Sequence, residues 1–74
     1  MRLLPRQSVP WHSTGAREEL LIGLRGELTL ELQHAGRRNT ITLHKDQCAF
    51  LSSQAWHRVV NRSRHTAHYL YLTA

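Results

Sequence analysis

Seventy-four residues with a single cysteine and a formal net charge of +5 leave room for one domain and no internal disulfide. A chain this short buries only about 60% of the surface its unfolded form exposes, so a metal or a partner chain is the expected source of extra stability. No stretch approaches the ~20 apolar residues of a membrane span, and Met1-Arg2-Leu3-Leu4-Pro5-Arg6 lacks the apolar core of a secretion signal; a cytoplasmic protein without membrane contact is expected.

Nine of the ten basic residues are arginine, dispersed along the chain. That balance favours anionic partners in general, small acids and phosphates among them. No aromatic residues alternate with the arginines in sequence, and no helix-turn-helix or zinc-finger spacing occurs. Nucleic acid is therefore not an expected partner, and much of the charge is read as serving solubility.

In chain order, Val9-Pro10-Trp11 reads as a strand end entering the Thr14-Gly15 turn. Glu19 to Leu24 is a nearly continuous apolar run, the pattern of a strand covered on both faces. Gly23 and Gly26 argue against a helix there. From Glu27 to Gln33 the leucines at 28, 30 and 32 fall on one face and polar residues on the other, the clearest strand in the chain. His34 to Arg38 follows as a loop around Gly36, and Asn39 to Leu43 alternates again to complete a hairpin. Cys48–Leu51, Arg58–Asn61 and Ala67–Leu72 read as short strands, with turns at Lys45-Asp46, Ser52-Ser53-Gln54 and Asn61-Arg62-Ser63. Short strands of period two, punctuated at regular intervals, predict one all-β antiparallel domain over residues 1–74, a sandwich or barrel of about seven to nine strands.

Two segments of this pattern, residues 12–26 with His12, Glu19 and Gly26 and residues 46–61 with His57 and Asn61, resemble the paired signatures of the cupin family. Residues 46–61 are similar to the second, G-x5-P-x-G-x2-H-x3-N: His57 and Asn61 match, while Asp46, Ser52 and Gln54 stand at its glycine, proline and glycine. Residues 12–26 are similar to the first, G-x5-H-x-H-x(3,4)-E-x6-G: His12, Glu19 and Gly26 match, Thr14 replaces the second histidine and Arg6 the leading glycine. The separation from Gly26 to Asp46 fits the short hairpin of small bacterial cupins.

The resemblance implies a small single-domain β-barrel or jelly roll that holds a divalent transition metal (Fe, Mn, Ni, Co or Zn). His12, Glu19 and His57 would be its ligands, two imidazoles and a carboxylate that leave several coordination positions open. Adjacent strand residues point to opposite faces, so only one of Glu18 and Glu19 can turn inward, and the spacing to Gly26 selects Glu19. Three further residues are placed beside the site. Thr14 would bond a bound water, Trp56 would form a pocket wall beside His57, and Asn61 would lie on the His57 face as a supporting or packing residue.

Plainer readings accompany these: His12 as a loop histidine against Trp11, and Glu19 as a strand-end carboxylate paired with Arg17. His34, His44, His65 and His68 are read as solvated, Cys48 as a small strand hydrophobe, and Trp11, Tyr69 and Tyr71 as packing residues. Arg17, Arg25 and Arg58 are solvated charges unless one reaches the barrel mouth to bind a carboxylate or phosphate. Two functions follow as expectations, with enzyme status open. One is a metal-binding cupin that binds or transforms a small polar or anionic molecule. The other is a non-catalytic, metal-free binding or sensor cupin using arginines and Trp56. Because the chain is shorter than the family's usual barrel, a homodimer is also expected, with Leu3 to Val9 adding to the partner's sheet.

Overall fold

The computed structural model describes all 74 residues and contains eight strands: β1 (Arg2–Leu3), β2 (Ser8–Ser13), β3 (Glu19–Arg25), β4 (Leu28–His34), β5 (Arg37–Leu43), β6 (Cys48–Leu51), β7 (Trp56–Val60) and β8 (Ala67–Thr73). They form two four-stranded sheets in the orders β1-β8-β3-β6 and β2-β7-β4-β5, with every pairing antiparallel. The architecture is a small all-β jelly roll. The alternation read from the sequence puts one face of each strand inward. Leu28 and Leu30 of β4, Leu43 of β5 and Val59 of β7 meet Leu21 of β3, Leu51 of β6 and Ala67 and Tyr69 of β8 in a single core.

The N-terminal segment departs from expectation. Arg2 and Leu3 pair with His68 and Ala67 of the same chain, and Ser8 and Val9 pair with Val60 and Val59. Residues expected to extend a partner's sheet instead contribute one strand to each of the chain's own sheets, and Leu3 is buried in the core. The β4–β5 loop is also tighter than expected. His34 and Arg37 are already paired, so Ala35 (φ 51°) and Gly36 (φ 76°) alone make the turn, both left-handed as a two-residue hairpin requires.

Three other non-glycine residues have positive φ: Arg6 (67°), Asp46 (68°) and Gln54 (60°). These are the three positions at which the signatures have glycine and this chain does not; at the fourth, Gly26, φ is 77°. The backbone is left-handed at each of them, the conformation glycine adopts most readily, which supports the alignment independently of the matched residues. Gly23 is fixed for another reason. A Cβ there would lie 2.2 Å from the His44 carbonyl oxygen, because β3 lies tight against the 44–47 turn, with Gly23 N–H donating to Gln47 O (2.9 Å) and Asp46 N–H donating to Gly23 O (2.9 Å).

The polar face of β4 is not solvated as its sequence suggests. Glu31 is 3% exposed on the outer face of the β2-β7-β4-β5 sheet. Its carboxylate accepts from Arg58 (3.0 Å) and Arg62 and lies 4.0 Å from Arg38. The Arg38 and Arg58 guanidiniums each sit 5.3 Å from the Trp11 ring, and Trp11 stacks with Trp56 at 6.3 Å between centroids. Aromatic and arginine side chains thus interleave in space, though they do not in sequence. The hydrogen bond from Arg62, ahead of that from Arg58, holds the Glu31 carboxyl below its ordinary range against the opposing effect of burial.

Candidate metal centre

His12 and His57 face one another because β2 carries a bulge. Val9 pairs with Val59, but the next pairs on β2 are His12 with His57 and Ser13 with Trp56. One extra residue, within Pro10-Trp11, shifts the phase of the strand. Strict alternation from an inward Val9 would turn His12 outward; the bulge turns it in and sends Trp11 to the outer face. Proline suits this position because it has no N–H to donate to the ladder. The imidazole centroids are 4.2 Å apart. Glu19 reaches them from the facing sheet, at the first residue of β3.

One ligand atom from each of His12, Glu19 and His57 lies within 4.8 Å of the others, and His57 Nε2 is 3.9 Å from a Glu19 carboxylate oxygen. Ligands held at ~2.1 Å from one ion sit no more than ~4.2 Å apart, and about 3 Å apart in a facial set, so closing on a cation requires a contraction of at least about half an ångström. Both imidazoles are oriented by backbone. His57 Nδ1 lies 2.9 Å from Ala55 O and His12 Nδ1 lies 2.8 Å from Pro10 O. A carbonyl can only accept, so each Nδ1 carries the proton, which leaves Nε2 as the ring atom of each histidine able to ligate. His57 is fully buried, and its Nε2 has no hydrogen-bond partner. A buried acceptor left unmatched costs about 1–3 kcal/mol, and a cation at this point would satisfy it. On these grounds the donor set fits a divalent metal.

A cavity of about 140 Å³ is lined by two of the three, His12 and Glu19, together with Met1, Val9, Val59, Tyr69 and Tyr71. Burial, and secondarily the Glu19 charge, pushes the Tyr69 hydroxyl up to about 12, so it remains protonated at neutral pH. The tyrosines reach the site through register, with Tyr69 opposite Gly23 and Tyr71 opposite Leu21 on β3. Their i, i+2 spacing shows in the sequence that they share a face, but not which strand they oppose.

None of the three accessory residues lines the cavity. Thr14 Oγ1 donates to Ser52 O (2.8 Å) and accepts from Ala55 N–H (2.9 Å), so its hydroxyl fastens the 52–55 turn that leads into His57. Trp56 is 45% exposed and stacks on Trp11 outside the barrel; the residue next to an inward His57 on a strand must point outward. Asn61 is fully buried, donates to Leu3 O (2.9 Å) and His65 O (2.8 Å) and accepts from Ser63. It ties the N-terminal strand to the loop after β7. Arg58 is held by Glu31 on the outer face, and no arginine lines the cavity.

The comparisons agree with this fold. A family model described as "Cupin domain" matches residues 1–73. The chain belongs to the cupin family. Its fold is similar to that of Drosophila melanogaster CENP-C bound to CAL1 (TM-score 0.92, 14% identity, covering 100% of this chain and 58% of that one). It is also similar to TT1209 from Thermus thermophilus (TM-score 0.88, 27% identity, 99% and 66%). A third structure of similar fold is an oxalate oxidase in complex with the substrate analogue glycolate (TM-score 0.87, 14% identity, 97% and 37%). This chain therefore spans between 37% and 66% of the length of these structures. No curated protein matches it in sequence.

Proposed function

We propose that this cupin binds a divalent transition metal through His12, Glu19 and His57 and uses it to bind or transform a small anionic molecule. The observation that carries the reading is the fully buried, unpartnered His57 Nε2. Its tautomer is set by Ala55 O, and it faces a second backbone-oriented imidazole and a carboxylate. Two neutral imidazoles and one carboxylate leave a divalent ion with a net positive charge, so the site would attract anions. When bound, the metal would act as a Lewis acid toward a ligand oxygen. The chain's own residues do the rest. Val9, Val59 and Tyr71 shape a small and largely apolar chamber, and the protonated Tyr69 hydroxyl supplies a neutral hydrogen-bond donor beside Glu19.

No arginine or lysine side chain lines this cavity, which leaves the metal, and the Met1 ammonium that donates to Tyr69 O (2.7 Å), as the positive charges an entering anion would meet. The same fact counts against the metal-free reading, because Trp56 and Arg58 point out of the barrel. The glycolate bound by the oxalate oxidase of similar fold supports a small carboxylate as the ligand class. Thermal denaturation with manganese, glycolate, both and neither tests the reading. Manganese is expected to raise Tm, and glycolate to raise it further only when the metal is present. Equal stabilisation of chelator-treated protein by glycolate would establish the metal-free sensor reading instead.

A further inference from the structure

We propose that the outer face of the β2-β7-β4-β5 sheet binds single-stranded nucleic acid, with phosphates on its arginines and a base on Trp56. Register builds the face. Across β7, β4 and β5 one row reads Trp56, Gln33 and Arg38, and the next reads Arg58, Glu31 and Thr40. The β2 bulge turns Trp11 onto the same face, where the Arg38 and Arg58 guanidiniums each lie 5.3 Å from its ring. Arg62 reaches in from the loop after β7 to the Glu31 carboxylate. Tryptophans and arginines do not alternate along the chain, so the sequence alone gives no reason to expect this partner. Folding supplies the alternation.

The charge on this face is one-sided. Glu31 is the one acidic residue in its four strands, and that single carboxylate meets three guanidiniums. Arg38 stays 4.0 Å away, beyond hydrogen-bond range, and Arg58 Nε has no partner. The Arg38 and Arg62 side chains remain 59% and 56% exposed. Glu31 therefore orders the arginines without cancelling their charge, and a planar guanidinium suits bidentate donation to phosphate oxygens.

The aromatic half of the face selects among polyanions. Trp56 is backed by Trp11 in a near-parallel stack (13° between planes) and still presents its ring to solvent. An acidic peptide brings no flat group to such a ring; a nucleobase does, and this stacking accepts any base. Beside Trp56, the Gln33 amide both donates and accepts, as base edges require. A duplex keeps its bases inside and is read by an element inserted into a groove, which a flat sheet roughly 14 Å across does not provide.

The test uses the full chain and dye-labelled oligo(dT) and oligo(rU) of about 12 nucleotides, within the span of one such surface. Fluorescence anisotropy should show micromolar binding to at least one of them, with quenching of tryptophan emission and no change when a chelator is added. That last condition separates this face from the metal centre. Three phosphate contacts predict that log affinity falls with log salt at a slope of about −2, and Arg38→Gln should make it shallower by about 0.7. Trp56→Ala should weaken binding about tenfold at an unchanged slope, and Lys45→Gln, on the connection to the other sheet, should match wild type. Absence of binding at low salt, or a folded Trp56→Ala variant that binds as wild type, would overturn the proposal. So would equal losses in Arg38→Gln and Lys45→Gln, the mark of diffuse charge attraction, or competition by polyglutamate as strong as by unlabelled oligonucleotide.

Discussion

Gln54→Gly should stabilise this protein, by an amount that follows from its backbone. Gln54 has a φ of 60°, a conformation that costs a residue with a Cβ roughly 1–2 kcal/mol. Glycine removes that strain but loses about 0.5–1 kcal/mol more conformational entropy on folding. The net gain is therefore about 0.5–1 kcal/mol. Little else changes, because the residue is exposed and its structural contribution is a backbone N–H donated to Gly15 O (2.7 Å), which glycine retains. For a domain of this size each kcal/mol moves Tm by ~4–8 °C, so thermal denaturation should show a rise of roughly 2–8 °C. Gln54→Ala is the control, since alanine keeps the Cβ and should bring no such gain. A glycine variant no more stable than wild type, or an alanine variant that gains equally, would refute the strain argument and with it the structural support for the signature alignment.

Arg6→Gly, at a φ of 67°, should stabilise in the same way, checked by the same melting experiment. Gly23→Ala should destabilise by ~2 kcal/mol or more, because the added methyl meets the His44 carbonyl rather than a movable side chain; chemical denaturation measures it. Glu31→Gln leaves Arg38, Arg58 and Arg62 without their shared carboxylate, and should cost about 1–3 kcal/mol given the partial exposure of those arginines. Its pH signature is also specified. The Glu31 carboxyl is depressed in the fold, so its contribution is present above the ordinary glutamate value and lost as pH falls through the depressed one. The acid limb of the Tm–pH curve should therefore be shallower in Glu31→Gln than in wild type.

Much of the fold was legible because period-two patterning and turn residues act locally. The leucines at 28 and 30 and the glycine at 26 fix strand and turn whatever their distant neighbours do. The spacing of His12, Glu19 and His57 was legible for a related reason: short strands between tight turns leave little freedom in register. Pro10-Trp11 was harder. A bulge shows only against the strand it pairs with, and this one decides that His12 faces in and Trp11 faces out. The burial of Glu31 depends on arginines 7, 27 and 31 residues away in sequence, a distance over which composition carries no signal. The outward position of Trp56 is legible in the sequence, since alternation from an inward His57 already places it outside. Tyr69 and Tyr71 enter the cavity through β3–β8 register, which is a tertiary fact.

Metal content per chain tests the central claim most directly. Tag-free protein, reconstituted with a divalent transition metal and then desalted, should retain about one ion per chain by elemental analysis, as a pre-oriented set of two imidazoles and a carboxylate requires. The same treatment of His57→Ala should leave it nearly empty. Wild-type protein retaining less than about a tenth of an ion per chain, or a His57→Ala variant that binds as well as wild type, would contradict the account.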